Sequence, residues 1–221
     1  MRCFIAINFP DIFKEEIIRI QNLIQEKSKP LLLSRGCCNK DNVFFPVSKN
    51  LDKPTPKGVG RNKDFLIRKD NIFIGKFTEK ENLHLTLKFL GEIDENEIER
   101  VKIKLRDLDF SKFYCELGEI GVFSKDFLRI IWIKVNGKIF DLQNEIDKNL
   151  EDIFEKENRF MSHITIARIK NVRDKRKFIE FMKKVSVNKI NFSVDEFSLM
   201  ESKLSSKGAV YKELEKYRLE S

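Results

Sequence analysis

The chain has 221 residues, 41% of them hydrophobic and 35% charged, with a formal net charge of +8. That length suits one large domain or two small lobes on a shared core. No run approaches the ~18 apolar residues of a membrane span, and the apolar run at Cys3–Ile7 is too short for a signal-peptide core. A globular, soluble, cytoplasmic protein without membrane contact is therefore expected. The surplus of Lys and Arg attracts polyanions, of which nucleic acid is the commonest. Cys3, Cys37, Cys38 and Cys115 show neither Cys-x-x-Cys spacing nor a Cys/His cluster, so they read as ordinary thiols rather than zinc ligands.

In chain order, residues 2–8 read as a buried strand. Residues 11–27 read as a helix, with Ile12, Phe13, Ile17, Ile18, Ile20, Leu23 and Ile24 at roughly helical spacing. From about 28 to 70 the texture changes. This segment holds four of the five prolines and ten Lys/Arg against four Asp, without sustained periodicity, and is read as a basic insertion. Strands are predicted at 71–77 and 83–90, with Gly91 ending the second. Asp94 is placed as the N-cap of a helix to about 108. Two strands follow, near 113–122 and 128–135, then a helix from 138 to 157. The remaining expectations are a strand at 162–169, a helix at 174–185, a strand at 189–200 and a last strand at 208–214. The mixture favours an α+β fold with a largely antiparallel sheet.

One internal echo carries chemistry. His84-Leu85-Thr86-Leu87 and His163-Ile164-Thr165-Ile166 share the pattern His, apolar, Thr, apolar, and they contain both histidines of the chain. Strand side chains alternate between faces, so each motif puts His and Thr on one face and aliphatics on the other. In-line hydrolysis of a cyclic phosphodiester needs a base for water and an acid for the leaving oxygen. Imidazole does either near neutral pH, and hydroxyl donors can hold the equatorial oxygens.

The segment Glu81–Gly91 and the segment Ser162–Lys170 resemble the two signatures of the two-histidine (2H) phosphoesterases. The likeness is closest to the RNA 2′,3′-cyclic phosphodiesterase branch, also called 2′-5′ RNA ligase. Met1–Pro10, Leu199–Leu204 and Gly208–Tyr211 look similar too; the basic insertion is the main departure. The resemblance implies one bilobal domain over 1–221: two antiparallel-sheet lobes with outer helices, facing each other across a central cleft. It implies hydrolysis of a 2′,3′-cyclic phosphate to a 2′-phosphomonoester without metal or cofactor, and a reverse joining of RNA ends. His84 would be the general acid and His163 the general base, with Thr86, Thr165 and Arg168 binding substrate. The expected partners are RNA ends bearing a cyclic phosphate, tRNA fragments among them, and the expected state is a monomer.

Four more placements concern the face that single residues present. Arg168 lies an odd five positions from His163, so it reaches the cleft only if a bulge or the strand end redirects it. Lys88 has the parity of His84 and Thr86. Trp132, the single tryptophan, is assigned to the core, with base stacking as the alternative, and Phe4 can line the cleft. Two other readings remain open: a phosphodiesterase of small cyclic nucleotides or 2′-5′ oligonucleotides, and a non-catalytic basic RNA-binding module.

Overall fold

The structure, a computed structural model, describes residues 1–28, 32–33, 66–67, 73–206 and 208–220. The basic insertion read at 28–70 therefore lies outside the described residues, apart from a two-residue ladder between β2 (Leu32–Leu33) and β3 (Leu66–Ile67).

The described chain runs β1 (Arg2–Asn8), α1 (Asp11–Ser28), β2, β3, β4 (Phe73–Phe77), a 3-10 turn at Lys80–Asn82, β5 (His84–Glu92) and α2 (Glu95–Arg106). It continues through β6 (Phe113–Val122), β7 (Ile130–Gly137), α3 (Ile139–Asn149), β8 (His163–Val172) and α4 (Lys175–Met182). It ends in β9 (Asn191–Val194), β10 (Glu196–Ser205) and β11 (Gly208–Arg218). Nine strands form one antiparallel sheet in the order β11-β10-β1-β5-β8-β7-β6-β9, with β4 on the outer part of β8. The expected two lobes are the halves of this sheet, which meet where β5 touches β8.

One residue, Asp195, separates β9 from β10, although these strands lie toward opposite ends of the sheet. Two Cα–Cα steps reach no more than about 7.6 Å, so the sheet must curl until its ends approach. Backbone bonds from Lys112 N–H to Glu220 O (2.9 Å) and from Glu220 N–H to Phe110 O (3.0 Å) tie the two ends together. The predicted strand at 189–200 is thus two strands serving different halves.

The helices cover one face. Ile5 and Ile7 of β1, Ile131 and Ile133 of β7, and Ile164 and Ile166 of β8 pack there against Phe13 and Ile17 of α1, Ile146 of α3 and Phe178 of α4. The other face is open, with a small cluster of Phe4, Ala6 and Met200 beside Tyr211. Asp94 caps α2 as expected: its carboxylate accepts from Glu97 N–H (2.8 Å), and Glu97 accepts from Asp94 N–H (2.9 Å). Such a cap contributes about 1 kcal/mol. The helix predicted to 157 stops at Asn149. Beyond it, Glu155 O accepts from Lys88 (2.7 Å) and Glu157 N–H donates to Asp147 (3.0 Å), so these groups serve a side-chain network instead of the helical ladder.

Candidate active site

β5 and β8 are joined through Leu85 paired with Ile164. Antiparallel pairing centred there sets His84 toward Thr165 and Thr86 toward His163, with the two histidines on a diagonal. Leu85, Leu87, Ile164 and Ile166 are buried on the helix side, and His84, Thr86, His163 and Thr165 are half-buried on the open face. The geometry thus brings together the four residues that alternation placed there.

The histidines are held alike. His84 Nδ1 lies 2.8 Å from Asn82 O, and His163 Nδ1 lies 2.7 Å from Met161 O, each the carbonyl two residues earlier. A carbonyl only accepts, so Nδ1 carries the proton in both rings, and Nε2 is the nitrogen that gains or loses one. Each ring also meets an aromatic edge. Tyr211 stands edge-on to His84 with centroids 5.0 Å apart, and Phe123 stands edge-on to His163 at 4.9 Å. Phe4 lies against His84 as well, at 5.0 Å, so it lines the site.

Burial lowers the pKa of His84 to about 4; the positive charges of Lys14, His163 and Arg168 push the same way, against the bond to Asn82. Burial also lowers His163, opposed by its bond to Met161. Both rings therefore favour the neutral form more than a free imidazole does.

Both motif strands carry a bulge at the same place. On β5, Thr86 pairs with Ala6 and Lys88 with the next residue back, Ile5, so Leu87 is the extra residue. On β8, Thr165 pairs with Trp132 and Ala167 with Ile131, so Ile166 is extra. Beyond each bulge the alternation has slipped by one. Arg168 pairs with Ile130, on the same face as Trp132, and so reaches the open face with Thr165. The bulge that its odd offset requires is present.

Two placements are corrected, the first of them by this slip. Lys88 pairs with Ile5 and turns to the helix side, where it is 4% exposed and forms an ion pair with buried Asp147. It therefore lies away from the histidines. Trp132 is half-buried on the open face beside Thr165, lying over Gly121, where a Cβ would stand 2.5 Å from the indole. It is not a core residue.

Sequence reasoning also missed Phe89. It pairs with Phe4, is 72% exposed, and holds in the first half the position that Arg168 holds in the second. The signal was available: Phe89 and Arg168 both lie five residues after their histidine.

The side chains around the histidines are hydroxyl, guanidinium and aromatic groups, a set that complements an anion. Among the described residues no three His, Cys, Asp or Glu side chains cluster as metal ligands would. Cys3 and Cys115 are buried free thiols, whereas Cys37 and Cys38 lie outside the described residues. No described helix is long and apolar enough to cross a membrane.

The family model for LigT-like phosphoesterases matches the chain twice, over residues 68–132 and 133–211, once for each histidine motif. An RNA 2′,3′-cyclic phosphodiesterase of Methanocaldococcus jannaschii is 34% identical over 98% of this chain and all of its own length. A second, of Methanothermobacter thermautotrophicus, is 32% identical over 81% of this chain and all of its own. Among solved structures, TT0787 of Thermus thermophilus superposes with a TM-score of 0.66 at 21% identity, covering 99% of this chain and 98% of that one. Escherichia coli LigT complexed with 3′-AMP gives a TM-score of 0.62 at 18% identity, covering 100% and 98%. These two likenesses establish the shared fold. With its bilobal α+β sheet and paired histidine strands, the chain belongs to the LigT-like phosphoesterase family.

Proposed function

We propose that the protein opens 2′,3′-cyclic phosphates at RNA ends, yielding 2′-phosphomonoesters by metal-independent acid–base catalysis between His84 and His163. The observation that carries this reading is the matched pair. Two imidazoles, each oriented through Nδ1 by a backbone carbonyl, face one space from adjacent strands, each beside the other strand's threonine.

In this mechanism His163 Nε2 takes a proton from water as the water oxygen bonds to phosphorus. The bond from phosphorus to the 3′ oxygen breaks, and His84, protonated beforehand, gives its proton to that oxygen. The products are a 2′-phosphomonoester and a free 3′ hydroxyl; solvent resets the two rings. Thr86, Thr165 and Arg168 hold the non-bridging oxygens. With the 5′ hydroxyl of a second RNA in place of water, the same exchange joins the cyclic end to that RNA through a 2′-5′ bond, the 3′ oxygen again leaving as a hydroxyl.

RNA is favoured over a small cyclic nucleotide by what surrounds the site. Residues 168–177 carry six cations against one carboxylate, Asp174, and Arg168, Lys170, Arg173, Lys175, Arg176 and Lys177 are all exposed. This run leads away from the phosphate position, where the body of an RNA would continue. Phe89 offers an exposed ring on which a base can stack.

His84→Ala and His163→Ala should each lower turnover of a nucleoside 2′,3′-cyclic phosphate by at least about a hundredfold, with folding intact by circular dichroism. Near-normal turnover in either variant would overturn the paired mechanism and favour the binding-module reading.

A further inference from the structure

Arg168 reaches the histidine face only because β8 gains a residue at Ile166. The local sequence, Ile164–Ile169, contains no glycine or proline to impose that step. What holds it comes from two distant elements. Thr78, just past β4, gives its N–H to Ile166 O (2.9 Å) and its hydroxyl to Thr165 O (2.8 Å). Gln21 of α1, itself buried, donates its side-chain amide to Thr78 O (2.8 Å) and to Ile166 O (2.9 Å). Ile166 O thus accepts from two donors at the position where the pairing slips.

We infer that Gln21 and Thr78 are positioning residues that fix the Ile166 bulge and thereby aim Arg168 at the phosphate. The inference rests on the reading of Arg168 as a phosphate ligand. Both side chains act from outside the reaction space. Gln21 lies on the helix-covered side, and Thr78 spends its hydroxyl on a backbone carbonyl. Removing either leaves polar backbone groups at the bulge short of a partner, so the strand relaxes toward regular pairing. One residue of slip would carry Arg168 to the other face.

The test is a double-mutant cycle read by competitive inhibition with inorganic phosphate. Arg168→Ala and Thr78→Val should each weaken phosphate binding about tenfold, and the double variant should bind no worse than Arg168→Ala alone. Thr78→Ser keeps the hydroxyl and should stay within about twofold of the parent protein. Gln21→Met gives the same prediction if Thr78→Val proves too unstable to purify. Losses that multiply in the double variant, or a Thr78→Val protein that binds phosphate normally, would overturn the inference. Normal phosphate binding by Arg168→Ala would instead remove the phosphate role of Arg168, and the positioning role with it.

Discussion

The two halves of the sheet carry the same strand design and stabilise it by opposite means. Each has His, Thr, a bulge, and then one residue aimed back at the open face. In the second half that residue is Arg168, and neutral hydrogen bonds from Thr78 and Gln21 brace the bulge. In the first half it is Phe89, and the residue next to the bulge, Lys88, is an ammonium in the core. Lys88 also bonds Glu155 O, while Asp147 accepts from Gln143 (2.6 Å) and from Glu157 N–H. The lesson is asymmetry on a repeated frame: one half presents a cation at the open face, the other an aromatic ring. The ion pair adds a link that the short β5–β8 contact lacks. It ties the His84 strand to the turn that leads toward Met161 and His163.

That contrast predicts unequal sensitivity. Lys88→Met strands the buried Asp147 carboxylate and should cost about 3–5 kcal/mol in urea unfolding. Replacing both partners, as Lys88→Met with Asp147→Leu, should recover most of that loss, because the desolvated charge is gone. A single variant as stable as the parent would show that the pair does not hold the first half together.

The pH profile sharpens the same comparison. Both imidazoles titrate below the ordinary value of 6.5, His84 at about 4. Hydrolysis needs one ring protonated and one neutral, and raising the pH above both values removes the protonated acid. kcat/KM should therefore peak below pH 6.5 and fall toward about tenfold per unit on the alkaline side. Arg168→Ala removes a positive charge that lowers His84, so it should raise that pKa. A plateau extending to pH 9 would contradict the assignment of both rings.

The smallest effect concerns the cation run of the second half. For a single-stranded substrate each phosphate contact contributes about 0.7 to the slope of log KM against log salt. Lys170→Gln and Lys175→Gln should each lower that slope by up to about 0.7 on an oligonucleotide, while a mononucleotide is unaffected. Equal changes on both substrates would place these lysines outside the RNA path.

Much of this was legible in the sequence because alternation and helical spacing are local. The two His-x-Thr motifs, the Asp94 cap and most strands follow from neighbours in the chain. Alternation failed where a bulge enters, since the groups that stabilise it come from far away: Thr78 is 87 residues from Thr165, and Asp147 is 59 from Lys88. Lys88 and Arg168 were therefore assigned each other's parity. The apolar stretch 189–200 concealed a change of sheet half at Asp195, because burial on either side of the crossing reads alike. The end of α3 was lost for a related reason: Ile153 and Phe154 keep helical spacing and still pack on the core, but in turns.

In the proposed mechanism two matched imidazoles act on one cyclic phosphate without a metal. The most direct test is the product formed from an oligonucleotide ending in a 2′,3′-cyclic phosphate, with excess chelator present. Undiminished turnover to a 2′-phosphate end is expected. A 3′-phosphate product, or activity that disappears with the chelator, would contradict it.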